Sequence, residues 1–165
     1  MQLKDKVAVI TGVGSGIGAA IARAFSREGA QIVGWDINLS AAQQTCASCA
    51  FPSKTTSLQV DVTNPSQVEE ATLQVVSQFH RFDILVNVAG GSGRRWGDGP
   101  VDACTLEGWH KTLDLNLNSL FYCCKFAVQA MLPQRNGAIV VISSVLGLVG
   151  GDEDFATHAY ATSKG

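Results

Sequence analysis

Short, nearly continuous apolar runs alternate along this chain with longer segments in which apolar residues return every three to four positions. The runs Val7 to Thr11, Gln31 to Asp36, Thr56 to Val60, Ile84 to Asn87 and Ala138 to Ser143 predict strands. They lack the in-and-out alternation of a sheet with one wet face, so the sheet they form is covered on both sides. Between them, Gly16 to Glu28, Leu39 to Cys49, Pro65 to Phe79 and Thr105 to Leu132 predict helices, with another expected from about Thr157. Helix starts are marked by Asn38, by Asn64-Pro65 and by Thr105-Leu106-Glu107. Such an alternation implies an α/β fold with a parallel, doubly wound sheet, and right-handed crossovers make 3-2-1-4-5 the expected strand order. The order reverses between the first and fourth strands, and ligands of open α/β sheets bind there, beyond the strands' carboxyl ends.

Composition narrows this picture. A length of 165 residues suits a single domain spanning 1–165, and 46% hydrophobic against 16% charged residues suits a sheet buried on both faces. Twelve basic and fourteen acidic side chains leave a net charge of −2, and no basic run extends beyond Arg94-Arg95, so nucleic acid is not an expected partner. No stretch approaches the roughly 20 apolar residues of a membrane span, and the start runs into a strand pattern without a signal core. A cytoplasmic protein without membrane contact is the expectation. Cys46 and Cys49 form a C-x-x-C without a second pair or a nearby histidine. All five cysteines read as small hydrophobes, and no metal site is expected. The one long irregular stretch, Gly90 to Cys104, leaves the fourth strand at the sheet's carboxyl edge and is expected to overhang the pocket.

Thr11-Gly12-Val13-Gly14-Ser15-Gly16-Ile17-Gly18 has the pattern of a dinucleotide cradle. Gly12 permits a tight turn out of the strand, Gly16 lets backbone approach a pyrophosphate, and Gly18 lets the helix pack closely on the sheet. The helix N-terminus, with Ser15 and Ile17 beside these glycines, offers N–H groups to phosphate. Asp36 follows Gly18 by eighteen residues, at the end of the second strand. A carboxylate there can accept ribose hydroxyls and repel a 2′-phosphate, and neither Ser15 nor Ile37 supplies a positive charge, so NAD is the expected cofactor.

At the other end of the chain Tyr160-Ala161-Thr162-Ser163-Lys164 places a phenol and an ammonium four residues apart, on one face of a helix. A free tyrosine ionises near pH 10, so a Tyr acting as a base at neutrality needs roughly 4 kcal/mol of help. An ammonium about 4 Å away provides around 1 kcal/mol in bulk water and several times more when partly desolvated. A sheltered pocket is required.

With Asn116 and Ser144, these two stretches resemble the short-chain dehydrogenase/reductase family over about Lys4 to Gly165. The resemblance implies a Rossmann-type domain, and an oxidoreductase that moves a hydride between NAD(H) and a small secondary alcohol or ketone without metal. It implies Tyr160 as general acid/base and Lys164 as its electrostatic support and ribose ligand. Ser144, in Ser143-Ser144-Val145-Leu146-Gly147, becomes the substrate-orienting hydroxyl. Asn116 is the helix residue that breaks regular hydrogen bonding and holds a water relayed to the lysine. Asp61-Val62 resembles the adenine-pocket pair, while Asn87 and Gly90 support the cofactor region. In Asn87-Val88-Ala89-Gly90 the common second Asn is replaced by Val88. From Ser144 to Tyr160 the chain is three residues longer than expected, with the surplus in Gly150 to Asp154, and His158 reads as a rim or capping residue. Two other readings stay open: a non-catalytic nucleotide-binding fragment, and an epimerase/dehydratase relative, against which the G-x-x-x-G-I-G spacing argues. The usual C-terminal elements are absent from the given sequence. The complete protein is expected to be a homo-oligomer, and these 165 residues alone are expected to be poorly active and prone to associate.

Overall fold

The computed structural model describes residues 1–152 and 155–165. Its strands are β1 (Val7–Thr11), β2 (Gln31–Asp36), β3 (Thr55–Gln59), β4 (Ile84–Asn87) and β5 (Ala138–Val141). They pair in parallel in the order β3-β2-β1-β4-β5, the expected Rossmann-type arrangement. All of β1 is buried, because its alternate side chains enter two different cores. Val7 and Val9 join Val33, Trp35 and Leu85 beneath α3 (Pro65–Phe79) and α5 (Ser119–Met131). Ala8 and Ile10 join Ile32 and Val86 beneath α1 (Gly16–Arg27) and α2 (Leu39–Ala47). At roughly 1.5–3 kcal/mol for each large apolar side chain buried, the two layers fix which face each strand residue takes.

Helix starts follow the marked residues. The Asn38 side chain accepts the Ala41 amide, Asn64 accepts those of Ser66 and Gln67, and Thr105 accepts that of Gly108. The long helix expected over Thr105 to Leu132 is divided. After α4 (Leu106–Leu113), a π turn over Asp114–Asn118 widens the ladder, so that the Ser119 amide reaches the carbonyl of Asp114, and α5 follows. The last helix, α6 (His158–Lys164), has seven residues.

At the amino end of the sheet, Asp83 ties strand starts together. Its carboxylate accepts the Val7 amide at 2.9 Å and the Arg81 guanidinium at 2.6 and 2.7 Å, with Lys6 Nζ 3.7 Å away. Its backbone bonds the Val7 carbonyl and the Ala138 amide. Burial works to raise the Asp83 carboxyl, but the Arg81 and Val7 hydrogen bonds and the charges of Arg81 and Lys6 hold it below the usual carboxylate range. At the sheet's edge, Ile139, Val140 and Val141 of β5 are 36%, 44% and 46% exposed.

Candidate functional site

Backbone geometry builds the first half of the site. Gly12 leaves β1 with φ +64°, and a Cβ on it would lie 3.0 Å from the Ala89 backbone, so the loops after β1 and β4 touch through a position that takes no side chain. Thr11 secures the same junction, its hydroxyl accepting the amides of Val88 and Ala89 at 3.0 Å each. Gly18 is needed for a closer contact than the one expected. A Cβ there would collide with the Gly12 carbonyl, so the helix packs on the turn itself as well as above the sheet. Ser15, the N-cap of α1, makes no side-chain cap, which leaves the first-turn N–H groups for a ligand.

These elements border a cleft of about 560 Å³ that also takes in Ile17, Asp36, Asp61, Val62 and Gly90. The Asp36 carboxylate is oriented from both sides, accepting the Gly14 amide at 2.8 Å and the Asn38 amide at 2.9 Å. Asp61 points one oxygen at the Thr63 amide and hydroxyl. Asn87 is buried, and its amide nitrogen donates to Cys124 Sγ at 3.5 Å. As a cradle for a dinucleotide these residues fit: bare backbone at Gly12 and Gly16, uncapped helix amides, and a fixed carboxylate beside β2.

The second half lies against the loop from Gly90 to Cys104 and α6. Asn116, buried within the π turn, pins that loop: its Oδ1 accepts the Gly91 amide at 2.9 Å, while its Nδ2 donates to the carbonyls of Gly91 and Thr112. Lys164 Nζ donates to the Ile142 carbonyl at 2.9 Å and lies 5.9 Å from the centre of the Tyr160 ring. Burial lowers the Lys164 ammonium below the ordinary lysine value. Gly90 makes room for both, since a Cβ there would stand 2.6 Å from Asn116 Oδ1 and 3.4 Å from Lys164 Nζ. Ser143 anchors the helix from β5, its hydroxyl donating to the Lys164 carbonyl at 2.6 Å.

Asn116 and Lys164 share a small cavity of about 210 Å³, while Ser144 and Tyr160 share a neighbouring one of about 500 Å³ walled by Val145, Leu146 and Phe155. The four residues expected to carry the chemistry thus sit in two adjoining chambers, bridged by the single turn of α6 between Tyr160 and Lys164. His158, the first residue of α6, does not cap the helix: its Nδ1 and amide both approach the Gly99 carbonyl. Glu153 and Asp154, part of the surplus before Tyr160, lie outside the described residues. Burial raises four thiols, Cys123 to about 12 and Cys46, Cys49 and Cys124 in the same direction, which keeps them protonated at neutral pH.

Two contributors escape a reading of motifs. Thr11 opens the glycine stretch, but nothing there signals that its hydroxyl binds the amides of Val88 and Ala89. Asp98 bonds the backbone of Ala159 and Tyr160, and nothing local signals a partner some sixty residues away.

A profile of the short chain dehydrogenase family matches residues 6–165, and the chain belongs to that family. It is 35% identical over 150 residues to cyclohexanol dehydrogenase of Acinetobacter sp. (strain SE19), covering 90% of this chain and 59% of that protein. It is also 35% identical to D-threitol dehydrogenase of Mycolicibacterium smegmatis, over 99% of this chain and 60% of the relative. The crystal structure of an NAD+-bound xylitol dehydrogenase superposes with a TM-score of 0.90 at 30% identity, over 99% of this chain and 61% of that one. The chain therefore spans about three fifths of the length of these relatives. Among its described residues, no helix is long and apolar enough to cross a membrane.

Proposed function

We propose that this chain carries the cofactor cleft and proton-transfer residues of an NAD(H)-linked oxidoreductase acting on a secondary alcohol or ketone. The observation that carries the reading is the cavity that Tyr160 and Ser144 both line, beside the dinucleotide cleft and with Lys164 one helical turn on from the tyrosine. A bound nicotinamide dinucleotide supplies the hydride acceptor or donor. Tyr160 takes the hydroxyl proton in oxidation and returns it in carbonyl reduction, while Ser144 orients the oxygen being transformed. Lys164, part-buried, favours the phenolate by its charge and holds the nicotinamide ribose. Asn116 keeps the Gly90–Gly91 backbone against that lysine. Asp36 selects NAD, because its carboxylate accepts ribose hydroxyls and opposes a 2′-phosphate.

The test is NAD-linked turnover on a panel of alcohols and ketones, using the full-length protein. Tyr160→Phe is expected to abolish the rate while sparing NADH affinity, and wild-type turnover in that variant would remove the mechanism. NADH should bind more tightly than NADPH, with Asp36→Ala narrowing the gap; tighter NADPH binding by the unaltered protein would remove the cofactor assignment.

A further inference from the structure

We propose that Asp98 is a positioning residue for Tyr160: its carboxylate, carried by the loop after β4, sets where the first turn of the catalytic helix stands. The inference rests on the reading of Tyr160 as the proton-transfer group.

Asp98 is 6% exposed, and its two oxygens accept the amides of Ala159 and Tyr160 at 3.0 Å each. These are the second and third N–H groups of α6, the pair that an N-cap side chain ordinarily satisfies. Thr157, which occupies the N-cap position, makes no such bond, so the cap is delivered from a different part of the chain. A carboxylate is buried at a cost unless its oxygens are used, and here the free amides and positive end of a helix use them. Cys104 Sγ, 3.9 Å from Oδ1, adds only a weak contact.

The first turn of α6 has no side-chain cap of its own, so its place is set by what it docks on. Asp98 itself is firmly held. Its amide donates to the Gly93 carbonyl, Gly97 beside it has φ +93°, and the Thr105 hydroxyl at the start of α4 donates to the Trp96 carbonyl at 2.8 Å. Because α4 leads directly into the π turn that carries Asn116, Asp98 refers Tyr160 to the same frame as the Asn116–Gly91 clamp. One of its two bonds is to the Tyr160 amide, so a displacement of this turn moves the phenol relative to Ser144. A misplacement of about 1 Å in a reacting group can cost on the order of 100-fold in rate.

The charged and titratable groups around the phenol, among the described residues, are Lys164 and His158 on α6 and Asp98 and Arg94 from the loop. They give the pH profile a diagnostic sign. Releasing the first turn takes the phenol away from Lys164 and moves the acid limb of alcohol oxidation to higher pH. Removing a nearby negative charge without displacement moves it to lower pH.

The experiment compares Asp98→Ala, Asp98→Asn and Tyr160→Phe in the full-length protein for NADH dissociation constant, kcat, KM and the pH–rate profile. Asp98→Ala is expected to lower kcat roughly 10- to 100-fold with NADH affinity held within about threefold, and to shift the acid limb upward. Asp98→Asn keeps one acceptor oxygen and should fall between Asp98→Ala and the unaltered protein, and it decides the matter if the alanine variant does not fold. An unchanged kcat or an acid limb displaced to lower pH in the alanine variant, or equal losses of NADH affinity and kcat in the asparagine variant, would overturn the proposal. Full turnover in Tyr160→Phe would instead defeat the functional reading, whereas an inactive Tyr160→Phe beside a fully active Asp98→Ala would defeat the positioning role alone.

Discussion

An alanine at Gly90 would place its methyl 2.6 Å from Asn116 Oδ1, so either the Asn116–Gly91 clamp or the loop bearing it has to move. Overpacking of this kind costs about 1–3 kcal/mol, and the strain falls where the lysine and the cofactor cleft meet. Gly90→Ala is therefore expected to weaken NADH binding by on the order of tenfold with little change in melting temperature, read by fluorescence titration beside a thermal melt. Retained affinity would show that the loop yields without disturbing the cleft. At this scale much of the site was legible. Tyr160 and Lys164 stand four apart in a helix, where spacing dictates a shared face, and the glycines announce backbone that must approach something. Gly90 was legible as a support, but its steric reason was not, since that depends on Asn116 and Lys164 converging from two other elements. Asp98 and Thr11 were illegible in the same sense: each acts on backbone amides, which carry no residue-type signature.

Elements were legible where both ends carry a chemical mark. α3 begins at Pro65 behind Asn64 and closes on His80 in the left-handed region, and its predicted and observed bounds agree. The division of the long helix at Asp114–Asn118 had no such mark, because apolar periodicity reports which face is buried and not how the carbonyls are paired. β5 was read to Ser143, but its ladder stops at Val141 opposite Asn87, the last residue of β4: a strand's length is set by its neighbour. The strand starts depend on Asp83. Its folded-state carboxyl is held down, so the stability it contributes is full above the unfolded value near pH 4 and is lost as pH falls through the lower folded value. Asp83→Asn is expected to cost about 1–3 kcal/mol at neutral pH and to flatten the acid dependence of stability, measured by urea unfolding between pH 7 and pH 3. An unchanged acid slope would show that other carboxylates dominate it.

Across the whole molecule, the Asp83 anchor and the candidate site occupy opposite ends of the sheet, so acid lability and chemistry are separable by mutation. Exposed apolar side chains include Ile139, Val140 and Val141 of the edge strand β5, and Phe121, Val128 and Leu132, which are 62%, 42% and 66% exposed. These 165 residues expressed as such are expected to self-associate, and light scattering checks this; a monodisperse monomer at micromolar concentration would refute it. α6 is fastened from the Asp98 loop and from the segment just beyond β5: two amides on Asp98, His158 on the Gly99 carbonyl, the Ser143 hydroxyl on the Lys164 carbonyl, and Lys164 Nζ on the Ile142 carbonyl. Under the proposed function Lys164 would be both a ribose ligand and one of those fastenings, so a dinucleotide at 100 times its dissociation constant, worth about 2.7 kcal/mol to the bound state, would also hold the helix in place. In that reading cofactor occupancy acts as a latch on the helix that bears the proton-transfer group.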